Sequence, residues 1–125
     1  MFFTSEDLTI HITRGDVAPI FITANTEGLD YEFAENDVVR LKVFTKKNCG
    51  EVVLQKDVKV TETTNAVEVL LTGKDTKIGE VISKPVEYWY EVELNPDTNP
   101  QTIIGYDENG AKVFKLYPEG GEVNE

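Results

Sequence analysis

The sequence is poor in the side chains that carry most enzyme chemistry. Its 125 residues include one cysteine, Cys49, one histidine, His11, and one tryptophan, Trp89. A lone cysteine closes no internal disulfide, so stability must come from packing. Zinc is excluded in practice, because structural sites need about four Cys or His ligands and catalytic sites about three. A Ser-His-Asp triad could use only His11, and a Cys-His dyad only His11 with Cys49. His11 lies on a Thr-rich strand face and Cys49 in a Lys-rich turn, so neither pattern supports catalysis. No glycine-rich phosphate loop occurs, and no cofactor is expected. Bases are scarce as well: 12 Lys and Arg stand against 23 Asp and Glu, giving a net charge of -11 and a pI near 4.5. Nucleic acid and anionic membranes would be repelled, and neither is expected as a partner. No apolar run approaches the roughly 18 residues of a spanning helix, and Met1 to Ile12 has neither a basic nor a continuous apolar stretch of the kind a signal peptide needs. The expectation is a soluble chain without an export signal.

What the sequence does contain is period-two alternation from end to end. Leu8, Ile10 and Ile12 face one way and Thr9, His11 and Thr13 the other, as in a half-buried strand. After the turn Arg14-Gly15-Asp16, a second strand places Ala18, Ile20, Ile22 and Ala24 inward, with Pro19 near its start. A short strand is expected at 29–33. Val38 to Thr45 alternates Val39, Leu41 and Val43 with Arg40, Lys42 and Phe44. Val52, Leu54, Val58 and Val60 share a face that Lys56 interrupts, which predicts a bulge or an edge there. Val67, Val69 and Leu71 make a further strand. Thr72 can cap and Gly79 can stop one helical turn. The clearest strand is Val86 to Leu94, and Asn95 to Pro100 ends it. Thr102–Tyr106 and Ala111–Tyr117 flank Asp107-Glu108-Asn109-Gly110, which predicts a hairpin between them. Seven to eight short strands with at most one helical turn define an all-β class, an antiparallel β-sandwich. One domain is expected over residues 1–117, with an acidic flexible tail over 118–125.

Antiparallel pairing of the Arg40 strand with the Trp89 strand brings several complementary pairs into one register. Arg40 faces Glu93, Lys42 faces Glu91 and Phe44 faces Trp89, while Val39, Leu41 and Val43 meet Leu94, Val92 and Tyr90. Each outer pair is worth roughly 0.2 to 1 kcal/mol. Their agreement specifies the register. Residues 38–60 hold six bases and two acids in an otherwise acidic chain. That segment reads either as internally compensated or as an electropositive docking patch.

Other motifs have ordinary explanations beside the functional ones. Asn95, Asp97 and Asn99 offer alternate oxygens as at the start of a calcium loop, but Pro100 and Tyr106 stand where glycine and a bidentate Glu are needed, and Asx turns account for the same residues. Glu91 and Glu93 share a face at a spacing a glycosidase could use, yet Lys42 and Arg40 favour an ion-pair ladder. Arg14-Gly15-Asp16 spells an adhesion tripeptide and also makes a plain strand-to-strand turn. Trp89 points away from Tyr88 and Tyr90, outside the core. It is either an aromatic cross-strand partner of Phe44 or an anchor for a protein partner, since large aromatics dominate interface energies.

The order of the motifs resembles the N-terminal Ig-like domain of phage baseplate upper proteins and related prophage tail proteins. Ile12 to Ile20, with its Arg-Gly-Asp turn between strands, resembles that family's opening, and Asp37 to Val43 its third strand. Leu71 to Thr76 resembles its Thr-x-x-Asp-Thr turn, Gly79 with Tyr88, Tyr90 and Val92 its aromatic strand, and Gly110 with Phe114 and Leu116 its closing strand. Together they span roughly residues 8–117. Glu80 to Pro85 departs as an insertion, and the family's helical or fibrous continuation does not follow Tyr117. The resemblance implies a non-enzymatic virion structural module that docks to other tail or baseplate proteins or to itself, assembled in the cytoplasm and carried in the virion. Trp89 and Phe44, with Arg40 and Lys42 at their edge, are the expected interface. A carbohydrate-binding or adhesive Ig-like module is the alternative.

Overall fold

The computed structural model of the chain describes residues 1–26, 28–47, 50–108 and 110–120. Cys49, Asn109 and the last five residues of the tail lie outside the described residues. Eleven strands and one helical turn follow in order: β1 (Phe2–Thr4), β2 (Ile10–Thr13), β3 (Ala18–Ile22), β4 (Asn25–Thr26), β5 (Leu29–Asp30), β6 (Val38–Phe44), β7 (Val52–Lys59), β8 (Val67–Leu71), α1 (Gly73–Thr76), β9 (Val86–Leu94), β10 (Gln101–Ile104) and β11 (Lys112–Tyr117). A large sheet runs β1-β2-β11-β9-β6-β7, with β10 also on β9, and β3 pairs with β8 in a second sheet. The short β4–β5 pair forms a ribbon.

The inner faces meet in one core. Ile10 and Ile12, Val39, Leu41 and Val43, Tyr90, Val92 and Leu94, and Phe114 and Leu116 come from the large sheet; Ala18, Ile20, Ile22, Val67, Val69 and Leu71 come from the small one. Alternation therefore does what it predicts: apolar residues at every second position close an Ig-like β-sandwich. Each fully buried Leu or Ile contributes about 1.5 to 3 kcal/mol of burial energy.

β6 and β9 pair in the expected register, from Val39 opposite Leu94 to Phe44 opposite Trp89. The helical turn also forms as expected: Thr72 accepts from the Asp75 N–H, and the Asp75 carboxylate accepts from the Thr72 N–H. The Arg-Gly-Asp turn is a structural joint. Arg14 is buried and donates to the Ile78 and Gly79 carbonyls, Gly15 adopts φ 90°, and its N–H reaches Thr76 Oγ1 at 2.9 Å. Asp16 pairs with the N-terminal ammonium of Met1.

Three features differ from the sequence reading. β10 and β11 do not form a hairpin with each other; both run antiparallel to β9, on the edge opposite β6. Ile104 faces Val92 and Lys112 faces Tyr90, so residues 105–111 leave the sheet as an excursion opposite Glu91 alone. Asp107 and Gly110 close a small bridge, and Asp107 accepts from the buried Lys112 ammonium at 2.7 Å, which pins the excursion down. The turn residues thus serve a bulge, because β9 already offers an edge to both segments. β11 pairs with β2 in parallel, so the sheet is not wholly antiparallel. The bulge in β7 falls at Val53, between the Val43–Leu54 and Phe44–Val52 pairs, and not at Lys56. Lys56 marks the other expected outcome, an edge, since β7 ends the large sheet, and its ammonium lies 2.7 Å from the Asp75 carboxylate, tying that edge strand to the cap of α1.

Candidate functional site

The β6–β9 pairing carries two different faces. Leu41 and Val92 close the inner side, whereas Arg40, Lys42, Phe44, Trp89, Glu91 and Glu93 alternate outward. The structure brings all four expected interface residues onto this outer stripe. Trp89 is half-buried and outside the core cluster, and Phe44 is 6% exposed yet also outside it. Their backbones are opposed, but the rings do not stack. Phe44 instead meets the Lys42 ammonium, 5.8 Å from its ring centroid.

The charges of the stripe are compensated: Lys42 by the expected Glu91 together with Glu93 on β9, and Arg40 by a partner on the other neighbouring strand. Arg40 does not use Glu93. It lies opposite Asp57 on β7 and donates from Nε and Nη2 to both Asp57 oxygens at 2.9 Å, with Asp97 at 3.1 Å completing the clamp. Planar guanidinium geometry suits this bidentate arrangement. The hydrogen bonds to Asp57 and Asp97 raise the Arg40 pKa further, and the same contact holds Asp57 below its ordinary value. Lys42 sits 2.8 Å from Glu93 and 3.6 Å from Glu91, and the Glu93 contact raises its pKa. A compensated stripe of this kind offers shape and aromatic area more than net positive charge.

Beside the Phe44–Trp89 pair is a recess of about 90 Å³, lined by Lys47, Glu91, Tyr106 and Ala111 as well as the two aromatics. Tyr106 stands on the 105–111 excursion and is 73% exposed. Sequence reasoning assigned it no role in the interface, because its place beside Trp89 follows from the excursion, which no local pattern announces. Two of the three residues of the candidate calcium loop are engaged elsewhere: Asn95 Oδ1 accepts from the Val38 N–H at 2.9 Å, its amide donates to Asp37, and Asp97 holds Arg40.

His11 occupies a side-chain chain on the far edge of the large sheet. Its Nδ1 lies 2.8 Å from the Tyr117 hydroxyl and its Nε2 3.1 Å from Ser5 Oγ, while Phe3 stacks on the ring at 4.2 Å. The Ser5 hydroxyl donates to Asp7 at 2.7 Å, and that bond, with those from Thr9, lowers the Asp7 pKa to about 2. With the Ser5 proton directed to Asp7, His11 Nε2 is the donor to Ser5 Oγ, and Nδ1 accepts from Tyr117. A general base for Ser5 needs the opposite polarity. The chain fastens β1 to β2 and β11.

No protein family, no curated protein and no solved structure matches this chain.

Proposed function

We propose that the chain is a non-enzymatic docking module of a phage or prophage tail or baseplate, assembled in the cytoplasm and held in the virion by protein contacts. The observation that carries the docking reading is Trp89, an aromatic kept outside the core on a stripe whose charges are already paired. A partner covering Trp89 and Tyr106 would bury large apolar area beside Arg40 and Lys42, whose charges are already paired, and aromatic anchors of this kind supply most interface energy. The motif order from the Arg14-Gly15-Asp16 turn to the closing Phe114 and Leu116 supports the tail assignment by resemblance. The recess beside Trp89 is about 90 Å³, well below the roughly 300 Å³ at which small-ligand pockets begin. That size favours docking over sugar binding.

The test is co-purification of the chain with the tail and baseplate proteins encoded beside its gene, using wild type and Trp89→Ala. The variant should fold and should lose partner capture by about ten-fold or more, as a hot-spot truncation does. Equal capture by both proteins would overturn Trp89 as the anchor, and neighbouring genes for secretion or sugar use would overturn the virion reading.

A further inference from the structure

A second cavity, on the inner side of β9 from Trp89, borders β3. It measures about 430 Å³, and its walls combine apolar Leu8, Ile10, Ile20 and Ile103 with polar Asn25 and Asp30. No residue of β8 lines it. β3 pairs with β8 on one side and, among the described residues, with no strand on the other. Pro19 identifies which main-chain groups face this opening. Proline has no N–H for a ladder and is tolerated in a strand where its nitrogen points away from the paired neighbour. Pro19, and two residues on Phe21, therefore direct their main-chain groups to the open edge, beside the cavity.

A partly apolar cavity against unpaired backbone groups fits an extended polypeptide better than a hydrocarbon ligand, which would leave the edge donors and acceptors unmet. The charge around it selects the kind of polypeptide. Of the eight acids and one base in residues 1–37, Asp30 is in the cavity wall, while Asp16 is paired with the Met1 ammonium and Asp37 with Tyr31 and Asn95. That base, Arg14, is buried against the Ile78 and Gly79 carbonyls. Glu6 and Asp7 are exposed next to Leu8, and the Asp7 charge reaches the Tyr90 hydroxyl in the cavity wall.

We propose that this groove is a second docking site, which takes an extended segment of alternating basic and apolar residues as an added strand on β3. Every second side chain would enter the groove, and the basic residues between would face the acidic rim.

The test is a fluorescence-anisotropy titration of the full chain with a short labelled peptide of alternating lysine and valine. Two control peptides have the same charge: one replaces valine with serine, and the other carries N-methyl groups on alternate amides, so that it cannot pair as a strand. The lysine–valine peptide should bind about ten-fold or more tighter than either control, because main-chain bonds supply affinity and the groove supplies side-chain selection. Leu8→Asn should weaken it about five-fold or more by removing the apolar rim, and asparagine suits the φ of 68° at that position. Amide exchange should show new protection at Phe21 on binding. Equal affinity for all three peptides would reduce the site to diffuse charge attraction and overturn the proposal. So would full affinity in a folded Leu8→Asn protein.

Discussion

The two sheets of this sandwich bury their inner residues equally well, but only the large one contains strands paired on both sides. Leu41 and Val92 in the large sheet and Ala18, Val69 and Leu71 in the small sheet are all completely buried. Yet β6 is held on one side by β9 and on the other by β7, whereas β3 and β8 have only each other among the described residues. Core packing is therefore shared by both regions, and ladder hydrogen bonding is not. A side chain at the centre of β6 loses packing and register together when it is cut back, while β3 can open locally without dismantling the large sheet. The position of both candidate docking sites follows from this: one is an aromatic stripe on strands paired along both sides, the other an open edge.

The sharpest test is at Leu41. Leu41→Ala should cost about 2 to 5 kcal/mol in denaturant unfolding, the range for a truncated core leucine. Native-state amide exchange should divide the molecule the same way. Amides of β6 and β9 should exchange only through global unfolding, and those on the open side of β3 through smaller local openings. Equal protection in β3 and β6 would break the comparison.

Next is Asn95, at the end of the β6–β9 pairing. Its φ of 49° is left-handed, its side chain accepts from the Val38 N–H, and its amide donates to Asp37. Asn95→Ala loses both bonds and strains the backbone, for an expected loss of about 2 kcal/mol. Asn95→Gly keeps the conformation and should cost less. If glycine costs as much as alanine, the side-chain bonds alone hold this corner.

The central pairing and the links to it depend on acid in a predictable direction. Burial raises the Asp37 pKa, but bonds from the Ala34 N–H, the Asn95 amide and the Tyr31 hydroxyl outweigh it and leave the carboxyl below its ordinary 3.8. Arg40 lowers Asp57, and Lys56 lowers Asp75. Because the folded values are depressed, the stability these groups add is fully present above 3.8 and is lost as pH falls through the folded values below it. Unfolding midpoints in an acid series should fall in that range, and Asp37→Asn should flatten the decline. An unchanged slope in that variant would remove Asp37 from the account.

The β6–β9 register was legible in the sequence because both faces constrained it at once: a slip by one residue would have turned Val39, Leu41 and Val43 outward and set Arg40 and Lys42 against the core. Trp89 was legible for the same reason, as the large residue on the wrong side of an apolar alternation. β1 was not legible, since three residues give no period. The parallel β2–β11 pairing was hidden because alternation carries no information on strand direction. The excursion that carries Tyr106 looked like a hairpin turn, and only the shared edge of β9 reveals that its flanking strands run the same way. The groove beside β3 depends on an edge that no strand pairs among the described residues, and no residue pattern records that.

The smallest expected effect tests the open region directly. Phe21 is 64% exposed on β3, with Leu70 at 43% on the same outer side of the small sheet. If that face meets only solvent in the isolated chain, Phe21→Thr removes little packing and leaves a β-branched residue that suits a strand. Its stability should stay within about 0.5 kcal/mol of wild type, in contrast to the several kcal/mol expected at Leu41. A larger loss that shrinks on dilution would mean that a second copy covers this face. A larger loss independent of concentration would mean that the small sheet leans on Phe21 for its own integrity, and β3 would then be a less open strand than its unpaired edge implies.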